Sequence, residues 1–213
     1  MKLLQIVIKG NIFTFNGKLY RQCIGTAMGT RVAPSFATIF MGWLEEKVLL
    51  NTWQGTKPLS WVRFLDDILF YWHGTEQELK TFIDHLNSQH DFIKFEATYN
   101  PQERLVPFLD ATITIDSDGY IQTDLYRKEC AVTQYLLPSS CHPRHISSNI
   151  PFSLGYRLLR LCSKKADLKI RLQELKDDLI SRGYKAKIIE DALKRVQSNP
   201  KRGSTEESGK ENL

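Results

Sequence analysis

The stretch Trp61-Val62-Arg63-Phe64-Leu65-Asp66-Asp67-Ile68-Leu69-Phe70-Tyr71-Trp72 decides the reading of this chain. It is apolar on both sides of two adjacent acids, which reads as two strands joined by an acidic turn. Adjacent carboxylates repel one another, and burying them is costly unless something neutralises them. No polar face is evident around Asp66 and Asp67, so the stretch asks for a cation. Mg²⁺ fits best, because it is usually held by one or two carboxylates plus substrate phosphates. A purely structural turn is the competing reading. The same dipeptide at Asp177-Asp178 serves as a contrast. There Leu172, Leu175 and Leu179 fall at helical spacing, and the acids lie on the polar side of a helix.

Upstream, Phe13 and Phe15 alternate with polar residues and Asn16-Gly17 is a turn signal, predicting a hairpin over 12–21. A glycine-containing loop follows, then a helix from about Pro34 to 50. Phe36, Phe40, Leu44 and Val48 would form one buried stripe, widened by Ile39 and Trp43. Downstream, Thr75 and Glu78 have capping-box spacing and open a helix with Leu79, Phe82, Ile83 and Leu86 on its apolar face. Ile93, Phe95 and Ala97 alternate as a strand over 92–98. A further strand runs over Leu109, Ala111, Ile113 and Ile115. Asp118-Gly119 turns the chain into another over Ile121, Thr123 and Leu125. From Pro151 the pattern is helical: Leu154, Leu158 and Leu161, then Leu168, Leu172, Leu175 and Leu179. Arg182-Gly183-Tyr184 is a stop signal, and Ile188 to Val196 is a last helix. The fold class is therefore α+β. A body over 1–140 precedes a basic helical region over 141–197 and a polar tail over 198–213 that reads as disordered. The order from 34 to 98 is that of a ferredoxin-like β-α-β-β-α-β unit without its first strand.

Composition narrows the function classes. A 42% apolar, 25% charged chain is ordinary for a soluble globular protein. No apolar run approaches the roughly 20 residues that span a bilayer, so no membrane partner is expected. Met1 to Gly10 makes a poor signal peptide. Cys23, Cys130, Cys141 and Cys162 form no C-x-x-C pair and read as free thiols of an intracellular protein. Cys141-His142 with His145 has incomplete zinc-ligand spacing. Net charge is −2 over 1–140, +9 over 141–202 and −2 over 203–213. A basic third behind a near-neutral body points to a polyanion partner, nucleic acid first.

The acidic turn and the segments before it resemble the palm of a reverse transcriptase. Phe64-Leu65-Asp66-Asp67 is similar to the aromatic-x-Asp-Asp motif C, and Gln22-x-x-Gly25-x-x-Met28-Gly29 to motif B. The closer resemblance is to Penelope-like retroelement reverse transcriptases, carried by Leu19-Tyr20-Arg21-Gln22, Gly25, Met28-Gly29, Pro34, Ala37, Phe40-Met41 and Leu44-Glu45. Further similarities are Phe108-Leu109-Asp110, Tyr126-Arg127-Lys128, Ser140-Cys141-His142-Pro143, Arg157 with Arg160, and Arg182-Gly183-Tyr184. They cover about residues 5 to 197. Lys128-Glu129-Cys130 departs from the family's Lys-Pro-Thr.

The resemblance implies an RNA-directed DNA polymerase using two Mg²⁺ ions, with RNA or DNA template-primer and dNTPs as partners and nuclear residence. Asp66 would be a direct metal ligand and Asp67 a supporting acid. Gln22, Gly25 and Gly29 would lie near nucleotide or template. Arg157, Arg160, Lys164 and Lys165 would meet the nucleic-acid backbone from a thumb that family descriptions also call helix-turn-helix-like. The family's motif A aspartate has no counterpart, since no Asp or Glu precedes Glu45. This chain alone is therefore expected to be inactive. The alternative is a non-catalytic nucleic-acid-binding protein that uses the basic helices.

Overall fold

The computed structural model describes residues 2–47, 52–99, 104–128, 130 and 134–198. Element order is α1 (Lys2–Lys9), β1 (Ile12–Phe15), β2 (Lys18–Arg21), α2 (Ala33–Glu45), β3 (Ser60–Phe64), β4 (Asp67–Tyr71), α3 (Glu76–Ser88), β5 (Leu105–Phe108), β6 (Ala111–Ile115), β7 (Ile121–Leu125), α4 (Arg144–Leu161), α5 (Lys165–Ser181) and α6 (Ala186–Gln197). The fold is α+β, with helices and small antiparallel sheets. No helix among the described residues is long and apolar enough to cross a membrane. The chain divides into two compact units, Met1–Ala97 and Thr98–Leu213.

In the first unit, Asn16 and Gly17 both take positive φ (48° and 72°). This is the backbone of a two-residue hairpin turn that matches strand twist. It sets the register Phe15↔Lys18 through Ile12↔Arg21. The acidic hairpin pairs Phe64↔Asp67 through Ser60↔Tyr71. Helix α3 opens on a complete capping box: the Glu78 amide donates to Thr75 Oγ1 at 3.3 Å, and the Thr75 amide donates to Glu78 Oε2 at 2.7 Å. The core gathers around Phe82, which has no exposed surface. Trp53, Trp61, Phe70 and Trp72 surround its ring at 5.4 to 6.5 Å between centroids. Leu44 and Leu86 complete the buried cluster.

Three expectations need correction here. The strand over 92–98 does not form. The segment packs Ile93 and Phe95 on the core and is pinned by Asn87, whose side chain exchanges hydrogen bonds with the Phe95 amide (2.6 Å) and carbonyl (2.9 Å). It has no ladder, because no described strand lies beside it. Among the described residues the sheets are accordingly separate, of two, two and three strands, rather than one ferredoxin-like sheet. The α2 stripe is narrower than expected. Leu44 is buried and Phe40 half-buried, but Phe36, Ile39 (73%) and Trp43 (51%) face solvent, and Val48 lies outside the described residues.

The second unit joins a three-stranded meander, β5-β6-β7, to three helices. Strand β5 was not anticipated. Leu109, expected within a strand, is the first residue of the β5–β6 turn. Helix α4 begins at Arg144, before the expected start at Pro151, and carries that proline buried within it. Helix α5 ends in a Schellman motif: the Tyr184 amide donates to Leu179 O (3.0 Å) and the Gly183 amide to Ile180 O (2.9 Å). Gly183 takes φ 84°, which a side chain would resist. The core is Leu158, Leu172, Leu175, Leu179, Tyr184 and Ile189.

The meander is fastened to the helices. Thr123 Oγ1 donates to Leu161 O at 2.7 Å, the Ser163 amide donates to Thr123 O at 2.9 Å, and Arg171 clamps Asp124. These bonds hold the meander and the helices within one unit, which begins at Thr98, whereas the sequence predicts a boundary at 140. The tail over 199–213 lies outside the described residues.

Candidate functional site

Leu65 and Asp66 form the two-residue loop between β3 and β4, and Asp67 opens β4. Of the two loop residues, only Leu65 takes positive φ (55°), the pattern of a type II′ turn in which glycine is usual. The β5–β6 loop repeats the device: Phe108↔Ala111 close around Leu109-Asp110, and Leu109 has φ 56°.

Both Asp66 and Asp67 are exposed. The expectation of acids buried in an apolar run is therefore wrong: the turn projects them beyond the packed part of the strands, and water solvates them. Burial makes no demand for a cation. What remains is donor chemistry. Two adjacent carboxylates, neither engaged in a hydrogen bond or ion pair among the described residues, fit a hard divalent ion by ligand type. No group of three or more His, Cys, Asp or Glu that could hold a metal occurs among the described residues, Cys141, His142 and His145 included.

Asp66 lines a cleft of about 420 Å³ together with Pro34, Ala37 and Met41 of α2 and with Ile93 and Phe95. The end of α2 is tied to the hairpin behind this cleft. Glu45 Oε1 accepts from Arg63 Nε (2.6 Å) and from Trp61 Nε1 (3.0 Å), and the Glu45 and Arg63 side chains are only 17% and 12% exposed. Arg63 also donates to Leu65 O at 3.1 Å, bracing the turn. Sequence reasoning noted Glu45 but not this role.

Gln22, Gly25 and Gly29 do not line the cleft. Gln22 Nε2 donates to Ile24 O at 2.9 Å within its own loop. Gly25 and Gly29 have φ of 77° and 93°, and a Cβ at Gly29 would meet nothing within 4 Å. Their positive φ is a backbone conformation that side chains resist.

In the second unit the four nominated cations differ. Arg157 bonds Asp110 of the β5–β6 turn, with Nε to Oδ2 at 2.8 Å. The side chains of Arg160, Lys164 and Lys165 make no hydrogen bond or ion pair among the described residues, and all three residues are exposed. All three helices begin on basic residues without a side-chain cap: Arg144-His145 in α4, Lys164-Lys165 in α5, and Lys185 with Lys187 in α6. A helix N-terminus carries partial positive charge and normally attracts acids and capping hydroxyls. This arrangement works against α4 and α6, whose first turns hold no acid, while in α5 Asp167 of the first turn offsets it.

Asp124 is held below the usual carboxylate range, first by Arg171 and then by the Leu125 amide and Cys162. Burial, aided by Asp124, pushes the Cys162 thiol up to about 11. These groups lock β7 to α5, and Cys162 offers no reactive thiolate.

Residues 134–194 match the family model described as the animal helix-turn-helix domain. This span takes in α4, α5 and α6 as far as Lys194, and the turn between α5 and α6 contains Gly183. No curated protein and no solved structure matches the chain.

Proposed function

We propose that this chain is a late-palm and thumb portion of a retroelement reverse transcriptase whose helical unit holds nucleic acid. The observation that carries the reading is the cleft shared by α2 and the acidic turn, since the sequence resemblance requires a motif B helix and a motif C turn to meet. The helix-turn-helix match over 134–194 and the +9 charge of 141–202 support nucleic-acid contact by the second unit. Arg160, Lys164 and Lys165 would meet phosphates without reading bases.

Asp66 and Asp67 are the residues that would hold Mg²⁺, and the bound ion would supply charge neutralisation at a triphosphate. No carboxylate precedes Glu45, so this chain offers two ligands of a three-carboxylate set. Primer extension on an RNA template with Mg²⁺ or Mn²⁺ is therefore expected to be negligible for this chain alone. Robust synthesis that Asp66→Ala abolishes would overturn that expectation.

A second reading, a non-catalytic nucleic-acid-binding protein, is favoured by the uncapped basic helix starts. Both readings predict salt-sensitive binding that survives Asp66→Ala. Absence of binding at low salt, or binding unchanged when Arg160, Lys164 and Lys165 are neutralised, would refute the assignment of nucleic acid to these helices. Recovery of primer extension on adding back an aspartate-bearing strand segment would separate the first reading from the second. Nuclear residence is part of the first reading and is checked by localising a tagged chain.

A further inference from the structure

Two clefts in the second unit share Gln134 and Tyr135 as a common wall. One, about 330 Å³, is lined by Tyr126, Tyr135, Arg127, Lys128 and Arg157 above a floor of core leucines. The other, about 880 Å³, continues past Ser139 and Ser140 to Arg182. Both volumes fall within the roughly 300–1,000 Å³ of small-ligand sites. The combination is specific in its chemistry: two half-buried tyrosines, with cations at the rim and at the far end. Arg127 reaches Asp178 only at 3.4 Å, Arg157 is shared with a half-exposed Asp110, and Lys128 makes no hydrogen bond or ion pair among the described residues.

We infer that this groove binds single-stranded nucleic acid, an unpaired base stacking on Tyr126 while Lys128 and Arg127 meet the flanking phosphates. The inference rests on the nucleic-acid reading of the second unit and deepens it. Paired bases stay stacked inside a duplex and offer a concave site only their phosphates. An unpaired base can leave the stack and present its face to a tyrosine. The aromatic faces and the cations therefore select single strands over duplex, and do so without sequence preference.

The test uses the full chain and two fluorescein-labelled probes, an unstructured dT oligonucleotide and a DNA hairpin of matched charge. Anisotropy is read at fixed salt for the native chain, Tyr126→Ala, Tyr126→Phe and Lys128→Gln. Tyr126→Ala is expected to lose about tenfold in affinity for the dT probe, within the range one base–aromatic stack contributes, and little for the hairpin. Tyr126→Phe keeps the ring and is expected to keep the affinity. Lys128→Gln is expected to lower the salt dependence for dT by about 0.7 in log–log slope, the loss of one phosphate contact.

Equal loss for both probes, or no loss for Tyr126→Ala while native binding is intact, would overturn the groove assignment and leave nucleic-acid binding by the helices standing. Binding of neither probe by the native chain would overturn both. Circular dichroism of each variant guards against misfolding, and Tyr126→Phe with a lowered dT affinity and a native spectrum would count against stacking.

Discussion

Lys185→Asp is expected to stabilise the second unit while weakening its hold on nucleic acid. Lys185 is the N-cap of α6, with φ −70° and ψ 129°, the extended backbone a cap requires. Its carbonyl already accepts from the Ile188 and Ile189 amides at 3.0 and 3.3 Å, yet its side chain caps nothing. A good cap contributes about 1 kcal/mol. Exchanging a cation for an anion at the positive end of the helix adds roughly 0.3–1 kcal/mol. No acid occupies the first turn of α6, so the new carboxylate meets no repulsion there. The sum, about 1–2 kcal/mol, corresponds to a Tm rise of about 5–10 °C for a unit of roughly 100 residues. Thermal unfolding followed by circular dichroism reads it, with Lys185→Ser separating the cap from the charge: Ser supplies the first contribution without the second. In parallel, the log–log salt slope of duplex DNA binding is expected to fall by about 0.9, the loss of one phosphate contact. A Tm that stays level or drops in both variants would refute the capping argument. A raised Tm with unchanged DNA affinity and slope would refute the idea that the basic helix starts exist for an anion.

Phe82→Ala empties the centre of the aromatic cluster and is expected to cost the first unit about 3–5 kcal/mol, seen as loss of its cooperative unfolding by tryptophan fluorescence. The Thr75 amide and hydroxyl, with Thr56, hold the Glu78 carboxyl down at about 2 from an ordinary 4.5. A depressed acid gives its stabilisation above the unfolded value and loses it on acidification. The first unit should therefore weaken as pH falls from about 4.5 towards 2, and Glu78→Ala should flatten that part of the profile. Iodoacetamide at pH 8 should alkylate the exposed Cys23, Cys130 and Cys141 well before Cys162, as read by peptide mass spectrometry. Equal rates would contradict the buried, high-pKa thiol.

Signals confined to neighbouring residues were legible in the sequence. The hairpin at Asn16-Gly17, the Thr75–Glu78 box, the Gly183 stop and the acidic turn each depend on a few consecutive side chains, and each formed at the expected place. Signals that depend on distant partners were not legible. Alternation at Ile93, Phe95 and Ala97 marks an extended, half-buried segment, but a strand also needs a neighbour with free amides. Apolar spacing along α2 marked Ile39 and Trp43 as core, yet no described element covers them. Apolar neighbours predict burial of the acids at 66 and 67, whereas a two-residue loop lifts them clear. The pairs Arg157–Asp110 and Arg171–Asp124 join residues 47 positions apart, and no local pattern announces them.

The acidic hairpin is a two-stranded ribbon, and among the described residues both of its outer edges lack a partner strand. Val62 and Phe64 on it are exposed, as are Ile12, Phe13, Phe15 and Leu19 on the first hairpin. Free amides beside exposed apolar side chains template pairing with any other extended chain. On overexpression the first unit should therefore self-associate in proportion to concentration. The handling of this protein in solution is set by its unpaired edges more than by its helices.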